Sequence, residues 1–149
     1  MLWEISGEFV IRILVADDNP AVRNYLRDVL EQHDGWRVSD AVGDGIEAIR
    51  RFQLGRHDLI VLDFQMPAMN GLDVARNIAR ESPSTPILMV TLHISRQLCE
   101  EARRVGVKGA CAKVDVGSLI PAVEALLREE TYFPVEPTLP ALDRTSSPE

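Results

Sequence analysis

The sequence has no long apolar run, only two cysteines and fewer basic than acidic residues, and each of these shortages argues against certain classes of protein. No run approaches the ~20 consecutive apolar residues that a membrane-spanning helix needs, so no membrane span is predicted. The two cysteines form neither a disulfide framework nor a metal-ligand spacing, which favours reduced thiols. The net charge of −7 argues against direct nucleic-acid binding by this chain, because such binding needs positive charge to displace counterions.

The first residues also lack the features of an export signal. Residues 1–14, MLWEISGEFVIRIL, contain acidic residues and have neither a basic first region nor a small-residue cleavage site. We therefore expect a cytoplasmic protein. The length of 149 residues, 46% of them hydrophobic, suits a single domain with a sizeable core.

Short β-rich runs alternate with segments of helical periodicity along most of the chain. Strands are predicted at residues 9–16, 36–42, 58–62, 86–91 and 109–112, and helices at 20–30, 45–54, 71–80, 95–105 and 117–129. Strict alternation implies right-handed crossovers and a parallel sheet that is covered on both faces. The sequence thus predicts an α/β fold with a doubly wound, five-stranded parallel sheet and five helices.

The same pattern divides the chain into three parts. We expect an N-terminal extension at residues 1–9 and one domain at residues 10–130. Residues 131–149 hold four prolines and show no strand or helix period, so they are predicted to form an extended or disordered tail.

Acidic, hydroxyl and basic side chains end or follow four of the five predicted strands. In an open parallel sheet, ligands bind outside the carboxyl ends of the strands. Side chains that follow several strands are therefore expected to converge at one edge of the sheet. The set comprises Asp17, Asp18, Asp63, Thr91 and Lys113.

Each of these residues has a simpler explanation when it is taken alone. Asp18 or Asn19 can cap the first helix, which has a proline in its first turn. Asp63 can mark the start of a loop, Thr91 can fill a strand and Lys113 can be a surface charge. Independent explanations of this kind do not account for five polar side chains at one sheet edge, so a functional site is favoured.

The chemistry of the set indicates phosphoryl transfer. Neighbouring carboxylates raise one another's pKa unless a cation lies among them, and oxygen ligands without nitrogen or sulfur suit Mg²⁺. Mg²⁺ beside an available carboxylate and an ammonium group fits a reaction in which the carboxylate attacks and the cations neutralise the phosphoryl oxygens. The hydroxyl of Thr91 can then donate to a phosphoryl oxygen, which makes it a candidate sensor of the modified state.

Four motifs, in this order and spacing, resemble the receiver domains of two-component response regulators. They are ILVADDNP (13–20), LIVLDFQMPAMNG (59–71), MVT (89–91) and GACAK (109–113). The resemblance covers about residues 10 to 130 and implies the flavodoxin-like, CheY-like fold of that family. It makes Asp63 the phosphoacceptor, with Lys113 pairing with the phosphoryl group and Thr91 as the switch hydroxyl.

The resemblance also implies a cofactor and partners. Mg²⁺ is expected to be bound directly by Asp18, Asp63 and the backbone carbonyl of Gln65, and by Asp17 mainly through water. The phosphoryl group is expected from a histidine kinase, a phosphotransfer protein or a small donor such as acetyl phosphate, and it is lost by hydrolysis. The sequence does not identify the output protein, and homodimerisation is a further expectation. No enzymatic activity is expected beyond phosphorylation and dephosphorylation of the chain's own aspartate.

Residues 90–133 are most similar to the NarL/FixJ subgroup, whose members continue into a DNA-binding helix-turn-helix domain. Here a proline-rich tail follows, so the chain is either a stand-alone receiver or the receiver portion of a longer DNA-binding regulator. Ala110 stands where the family often has tyrosine or phenylalanine, which makes the readout position atypical. Gln65 and His93, two residues past Asp63 and Thr91, are candidates for tuning the dephosphorylation rate, although His93 also fits an exposed loop residue.

Three alternatives fit parts of the pattern. A magnesium-dependent phosphohydrolase usually carries a second acid two residues after its nucleophile, where this chain has Gln65. A flavodoxin-like cofactor binder needs a phosphate-cradling turn after the first strand, but DDNPAV (17–22) is acidic and lacks glycine. A receiver that signals without phosphate is the stronger rival because Ala110 is unusual, although the intact acceptor site argues against it.

Overall fold

The computed structural model describes residues 9–134. The strands are β1 (Ile11–Ala16), β2 (Trp36–Val42), β3 (Leu59–Asp63), β4 (Ile87–Thr91) and β5 (Gly109–Ala112). The helices are α1 (Pro20–Glu31), α2 (Gly45–Leu54), α3 (Gly71–Glu81), α4 (Arg96–Arg104) and α5 (Leu119–Leu127). None of these helices is long and apolar enough to cross a membrane.

The five strands form one parallel sheet in the order β2-β1-β3-β4-β5. The predicted doubly wound, five-stranded α/β fold is therefore confirmed. The chain reverses its winding direction after β2, so β1 and β3 lie side by side. The carboxyl ends of these two strands border the switch point at which such sheets bind ligands.

The sheet is buried on both faces, as the nearly continuous apolar run of β3 predicts. Successive side chains of a strand point to opposite faces, so the inner strands supply two separate cores. One core packs under α2, α3 and α4 and includes Leu14, Ile60, Leu62, Ile78 and Met89. The other packs under α1 and α5 and includes Ile13, Val15, Leu30, Val61 and Leu126. Full burial of each such side chain stabilises the fold by roughly 1.5–3 kcal/mol.

Side-chain caps begin four of the five helices. Such a cap accepts a hydrogen bond from a first-turn N–H that has no partner within the helix. The capping residues of α1 to α4 are Asn19, Asp44, Asn70 and Ser95. Asn19 therefore caps the first helix, and Asp18 is not needed for that purpose.

Among the described residues, those from 116 to 134 differ most from the predicted elements. Residues 116–118 form a short 3₁₀ turn, and α5 begins at Leu119 and ends at Leu127 rather than extending to residue 129. Residues 131–134, the first part of the predicted tail, lie against the outer edge of β5. The remainder of that tail, residues 135–149, and residues 1–8 of the predicted N-terminal extension lie outside the described residues.

Candidate functional site

The carboxyl ends of four strands place the predicted polar residues at one edge of the sheet. Asp17 directly follows β1, Asp63 ends β3, Thr91 ends β4 and Lys113 directly follows β5. Asp63 lies on the central strand, so its carboxylate has neighbours from both sides. The buried part of the set is Asp17, Asp63 and Thr91, which are 0%, 3% and 3% exposed.

The three carboxylates form a compact group. Asp17, Asp18 and Asp63 each offer one oxygen, and the three oxygens lie within 4.8 Å of one another. Asp18 is exposed, whereas the other two carboxylates are buried. Buried carboxylates need a cation or several donors to stay ionised, so this group requires compensating positive charge.

Lys113 supplies part of that charge. Its Nζ lies 2.7 Å from Asp17 Oδ2 and 3.3 Å from Asp63 Oδ2. Within residues 9–134, however, neither Oδ2 atom accepts a hydrogen bond of good geometry, although both are buried. The two buried Oδ2 atoms therefore need more positive charge than Lys113 supplies. Together with the third carboxylate they fit a hard divalent cation such as Mg²⁺.

The backbone around Asp17 is held from several directions. Asp17 N–H donates to the Val42 carbonyl at 3.0 Å, and Asp17 Oδ1 accepts from the Asn19 N–H at 2.9 Å. Arg23 Nη1 donates to the Asp17 carbonyl at 2.7 Å. The guanidinium passes over Gly43, where an added Cβ would lie 2.9 Å from Arg23 Nη1. The sequence pattern did not single out Arg23, for which the available signal is its place six residues after Asp17 in the first turn of α1.

The loop after β3 holds Asp63 by a close backbone approach. The Gln65 N–H donates to Asp63 Oδ1 at 3.0 Å, and the Gly71 N–H donates to the Phe64 carbonyl at 3.1 Å. A Cβ on Gly71 would lie 2.5 Å from Phe64 Cα and 2.7 Å from the Asp63 carbonyl oxygen. Glycine is therefore required at this position, which the sequence pattern alone did not indicate.

The charges of Asp63 and Lys113 are tuned by their surroundings. Burial raises the pKa of Asp63, and the Asp17 carboxylate raises it further, while the Gln65 N–H and Lys113 act against this rise. Burial alone lowers the pKa of Lys113, but Asp17 and Asp63 more than offset it, so the net pKa is raised and the ammonium is retained. A cation bound among the carboxylates favours the ionised form of Asp63.

The remaining predicted residues lie around this centre. The Thr91 carbonyl accepts from the Lys113 N–H at 2.7 Å, while the Thr91 hydroxyl makes no hydrogen bond to the carboxylates among the described residues. Gln65 and His93 are exposed in loops beside the site. Ala110 is 1% exposed and pairs with Met89 inside the sheet, so no aromatic ring projects from the predicted readout position.

Comparison with known proteins identifies the family to which this arrangement is similar. Residues 13–124 match the family model for the response regulator receiver domain. The transcriptional regulatory protein PdtaR of Mycobacterium tuberculosis is 34% identical over 114 residues, which are 76% of this chain and 55% of PdtaR. The uncharacterized transcriptional regulatory protein YxjL of Bacillus subtilis is 33% identical over 124 residues, 83% of this chain and 57% of YxjL. The chain thus spans about half the length of these curated relatives.

Solved structures show the same fold. A LuxR-family two-component response regulator from Aurantimonas sp. superposes with a TM-score of 0.79 at 29% identity, over 83% of this chain and 89% of that one. The isolated receiver domain of RcsB from Salmonella enterica gives a TM-score of 0.77 at 22% identity, over 84% and 94% of the two chains. The resemblance to response regulator receivers seen in the sequence is confirmed.

Proposed function

Because the chain belongs to the response regulator receiver family, we propose that it accepts a phosphoryl group on Asp63 in a Mg²⁺-dependent reaction and thereby switches a protein-interaction surface. The observation that carries this proposal is the placement of Lys113 Nζ 2.7 Å from Asp17 and 3.3 Å from Asp63, with both carboxylates buried. An ammonium group beside a buried carboxylate at a sheet edge suits stabilisation of a phosphoryl group that carries several negative charges.

In the proposed reaction, a carboxylate oxygen of Asp63 attacks the phosphorus atom of the donor. The new O–P bond forms as the bond between phosphorus and the donor breaks, and that electron pair leaves with the donor, whether a histidine side chain or acetate. Lys113 neutralises the phosphoryl oxygens, and the Thr91 hydroxyl donates to one of them in the modified state. Hydrolysis of the resulting acyl phosphate restores Asp63.

The described residues fit the Mg²⁺ that this family uses. Asp18, Asp63 and the backbone carbonyl of Gln65 would hold the ion, with Asp17 acting through water. The 2.7 Å contact between Asp17 and Lys113 supports an indirect role for Asp17, because the ammonium already occupies one side of its carboxylate. Mg²⁺ supplies positive charge against the phosphoryl oxygens when it is bound.

The family also indicates the partners. A histidine kinase or phosphotransfer protein would supply the phosphoryl group in the cytoplasm, and an output protein or a second copy of the chain would recognise the modified domain. PdtaR and YxjL are transcriptional regulators, and this chain spans about half of each. We therefore propose a receiver domain over residues 10–130, acting alone or within a longer DNA-binding regulator, whose chemistry is limited to its own aspartate.

Intact-protein mass spectrometry tests the acceptor role. The chain is incubated with acetyl phosphate, with and without Mg²⁺, beside Asp63→Ala and the matched control Asp28→Ala, which removes an exposed carboxylate on α1. We expect a single phosphoryl addition that requires Mg²⁺ and Asp63 and is retained in the control. If neither acetyl phosphate nor phosphorylated histidine kinases modify the chain, the proposal is wrong.

One observation favours a second candidate, a receiver that signals without phosphate. Ala110 is buried within β5 and offers no ring that could turn inward during a switch. Such a protein would bind its partner equally well before and after treatment with acetyl phosphate. The mass measurement distinguishes the two candidates, because the second requires no covalent addition.

Gln65 and His93 are proposed to tune the lifetime of the modified state. Both are exposed and follow a site residue by two positions, which leaves their side chains free to meet the water that hydrolyses the acyl phosphate. Gln65→Ala and His93→Ala are expected to change the rate at which the phosphoryl group is lost and to leave its addition intact. If the phosphoryl group is lost at the same rate from the wild type and from both variants, Gln65 and His93 do not tune the lifetime of the modified state.

A further inference from the structure

Asp18 is the one site carboxylate whose side chain makes no hydrogen bond or ion pair among the described residues. Asp17 Oδ1 accepts from the Asn19 N–H at 2.9 Å. Asp63 Oδ1 accepts from the Gln65 N–H at 3.0 Å. Asp18 is exposed, yet one of its oxygens lies within 4.8 Å of oxygens from Asp17 and Asp63. The backbone must therefore set the direction in which the Asp18 carboxylate points.

Two peptide groups flank Asp18, and one hydrogen bond holds each of them. The group that joins Asp18 to Asn19 donates its N–H to Asp17 Oδ1. The group that joins Asp17 to Asp18 accepts at its carbonyl from Arg23 Nη1, at 2.7 Å. Because a peptide group is planar, holding the plane on each side of Asp18 fixes both of its backbone dihedrals. The contact with Arg23 thus helps to set the direction of the Asp18 carboxylate.

The first turn of α1 places Arg23 for this contact. The Arg23 N–H donates to the Asn19 carbonyl at 2.9 Å. Asn19 Oδ1 in turn accepts from the N–H groups of Ala21 and Val22, which caps the helix. The Arg23 side chain is half-buried, and its guanidinium does not lose its proton, so the donor is always present. Arg23 therefore connects the capped start of α1 with the loop that carries Asp18.

Gly43, the first residue after β2, leaves the space that the guanidinium occupies. An added Cβ would lie 2.9 Å from Arg23 Nη1 and 3.7 Å from Arg23 Cζ, but 4.0 Å from the Asp17 carbonyl oxygen. Gly43 does not have a positive φ, so space rather than backbone conformation is the reason for glycine at this position. A side chain here would displace the guanidinium and leave the Asp17 backbone in place.

We propose that Arg23 is a positioning residue for the magnesium site. It holds the Asp17 carbonyl in the space that Gly43 leaves open, and it thereby orients the Asp18 carboxylate towards the ion. This role rests on the proposed Mg²⁺-dependent function and adds to it a residue outside the predicted ligands.

The sign of the effect on Mg²⁺ affinity separates this role from an effect of charge alone. A guanidinium repels a nearby cation, so removal of the Arg23 charge would by itself strengthen Mg²⁺ binding. Loss of the orientation of Asp18 weakens Mg²⁺ binding instead. The two roles therefore predict changes in opposite directions.

Calorimetric titration of the full, unphosphorylated chain with Mg²⁺ measures this change. We expect Arg23→Met to raise the dissociation constant about tenfold, because residues that orient metal ligands commonly contribute about 10–100-fold to metal affinity. Arg23→Lys retains the charge and one donor group, so the dissociation constant should rise only about threefold. Arg27→Met is the matched control, since Arg27 lies one turn further along α1 and is also half-buried. Its dissociation constant should stay within about twofold of the wild-type value.

Gly43→Ala tests the same contact from the other side. The added methyl group pushes the guanidinium away from the Asp17 carbonyl, so we expect Mg²⁺ binding to weaken about fivefold. In the Arg23→Met background the same change should cause no further loss, because the contact is already absent. Additive losses in the double variant would mean that the two residues act separately, and would overturn the proposal.

The amide nitrogen of Asp18 gives a readout that does not involve Mg²⁺. It belongs to the peptide group whose carbonyl Arg23 holds. Its NMR chemical shift should change in Arg23→Met and in Gly43→Ala but not in Arg27→Met. The same chemical shift in all of these proteins and the wild type would overturn the proposal.

The Mg²⁺ titrations also separate a failure of this role from a failure of the proposed function. If the wild type binds Mg²⁺ and Arg23→Met binds it equally well or more tightly, Arg23 does not position the site and the proposed function stands. A wild type that binds no Mg²⁺ would overturn both. If circular dichroism shows that Arg23→Met does not fold, Gly43→Ala decides the outcome, and wild-type Mg²⁺ affinity in that variant would overturn the proposal.

Discussion

Lys113 Nζ lies closer to Asp17 than to Asp63, at 2.7 Å from one Oδ2 and 3.3 Å from the other. The ammonium therefore bridges two buried carboxylates that come from different strands. This bridge balances charge that would otherwise oppose folding, and it places a cation beside the proposed phosphoacceptor.

Lys113→Met removes this bridge and is expected to slow phosphorylation by acetyl phosphate about 100-fold, because the developing charge on the phosphoryl oxygens loses its ammonium. The same change should increase Mg²⁺ affinity, since the ammonium and the metal ion compete for the same carboxylates. Both quantities are measured on one preparation, by intact mass over time and by calorimetric titration. The control is Lys108→Met, which changes the other lysine of the chain at an exposed position. A wild-type phosphorylation rate in Lys113→Met would contradict the proposed role of this residue.

Mg²⁺ should stabilise the folded chain through the exposed carboxylate of Asp18. At an ion concentration 100 times the dissociation constant, we expect the free energy of unfolding to rise by about 2.7 kcal/mol. Asp18→Asn should leave the stability without Mg²⁺ nearly unchanged and reduce the gain at a fixed ion concentration. Thermal unfolding with and without Mg²⁺ measures both effects, and Asp28→Asn serves as the control for loss of an exposed acid. If Mg²⁺ stabilises the wild type, Asp18→Asn and Asp28→Asn equally, the ion does not bind through Asp18.

Gly71→Ala is expected to destabilise the fold by about 1–3 kcal/mol, because the added methyl group meets backbone rather than a movable side chain. Its nearest neighbours would be Phe64 Cα at 2.5 Å and the Asp63 carbonyl oxygen at 2.7 Å. The shift of this loop should also slow phosphorylation of Asp63. Gly117→Ala provides the matched control, since the nearest atom to its added Cβ is Asp115 Oδ1 at 3.9 Å. Urea unfolding of the two variants should separate them, and similar stabilities would refute the packing argument.

The thiol of Cys111 should react slowly in the folded chain. Burial, and to a smaller extent Asp115, raises its pKa to about 12. The thiolate is the reactive form of cysteine. The fraction of Cys111 present as thiolate falls tenfold for each pH unit below this pKa, so the rate of reaction falls with it. A Cys99→Ser chain, which retains Cys111 alone, is labelled with iodoacetamide in the folded state and in urea. The labelling is done between pH 8 and pH 10, because a thiol in an unfolded chain has a pKa of about 8.5. We expect much slower labelling of the folded form across this range, and equal rates would show that Cys111 is accessible and ionised.

The same pKa shift predicts a loss of stability at alkaline pH. The unfolded chain releases the Cys111 proton at a lower pH than the folded chain does, so folding is disfavoured as the pH rises from about 9 towards 12. Cys111→Ala should reduce the slope of unfolding free energy against pH in that interval. If the slope is the same in Cys111→Ala and the wild type, groups other than Cys111 cause the loss of stability at alkaline pH.

The spacing of apolar residues along the sequence predicted all five strands and five helices. It did so because a strand buried on both faces and an amphipathic helix have different apolar spacings. The order of Asp17, Asp63, Thr91 and Lys113 along these elements also predicted a common sheet edge, since parallel strands end on the same side. Capping of α1 was predicted only as a choice between Asp18 and Asn19, and the structure assigns it to Asn19. Local patterns were therefore sufficient to predict the secondary-structure elements and the residues that end or directly follow the strands.

The tertiary structure decided the contacts that depend on distance in space rather than on position in the chain. Arg23 reaches the Asp17 carbonyl because Gly43 leaves room for its guanidinium, and Gly71 is required because the backbone of Phe64 passes beside it. Residues 131–134 were expected to belong to an extended or disordered tail, because the proline-rich sequence there shows no strand or helix period. Only the folded sheet presents the edge of β5 and the two cores on which Tyr132 and Phe133 pack. The sequence by itself determined the secondary elements and the meeting of the candidate site residues at one sheet edge, through local periodicity and strand ends. Long-range packing determined how those residues are held and how the edge of β5 is covered.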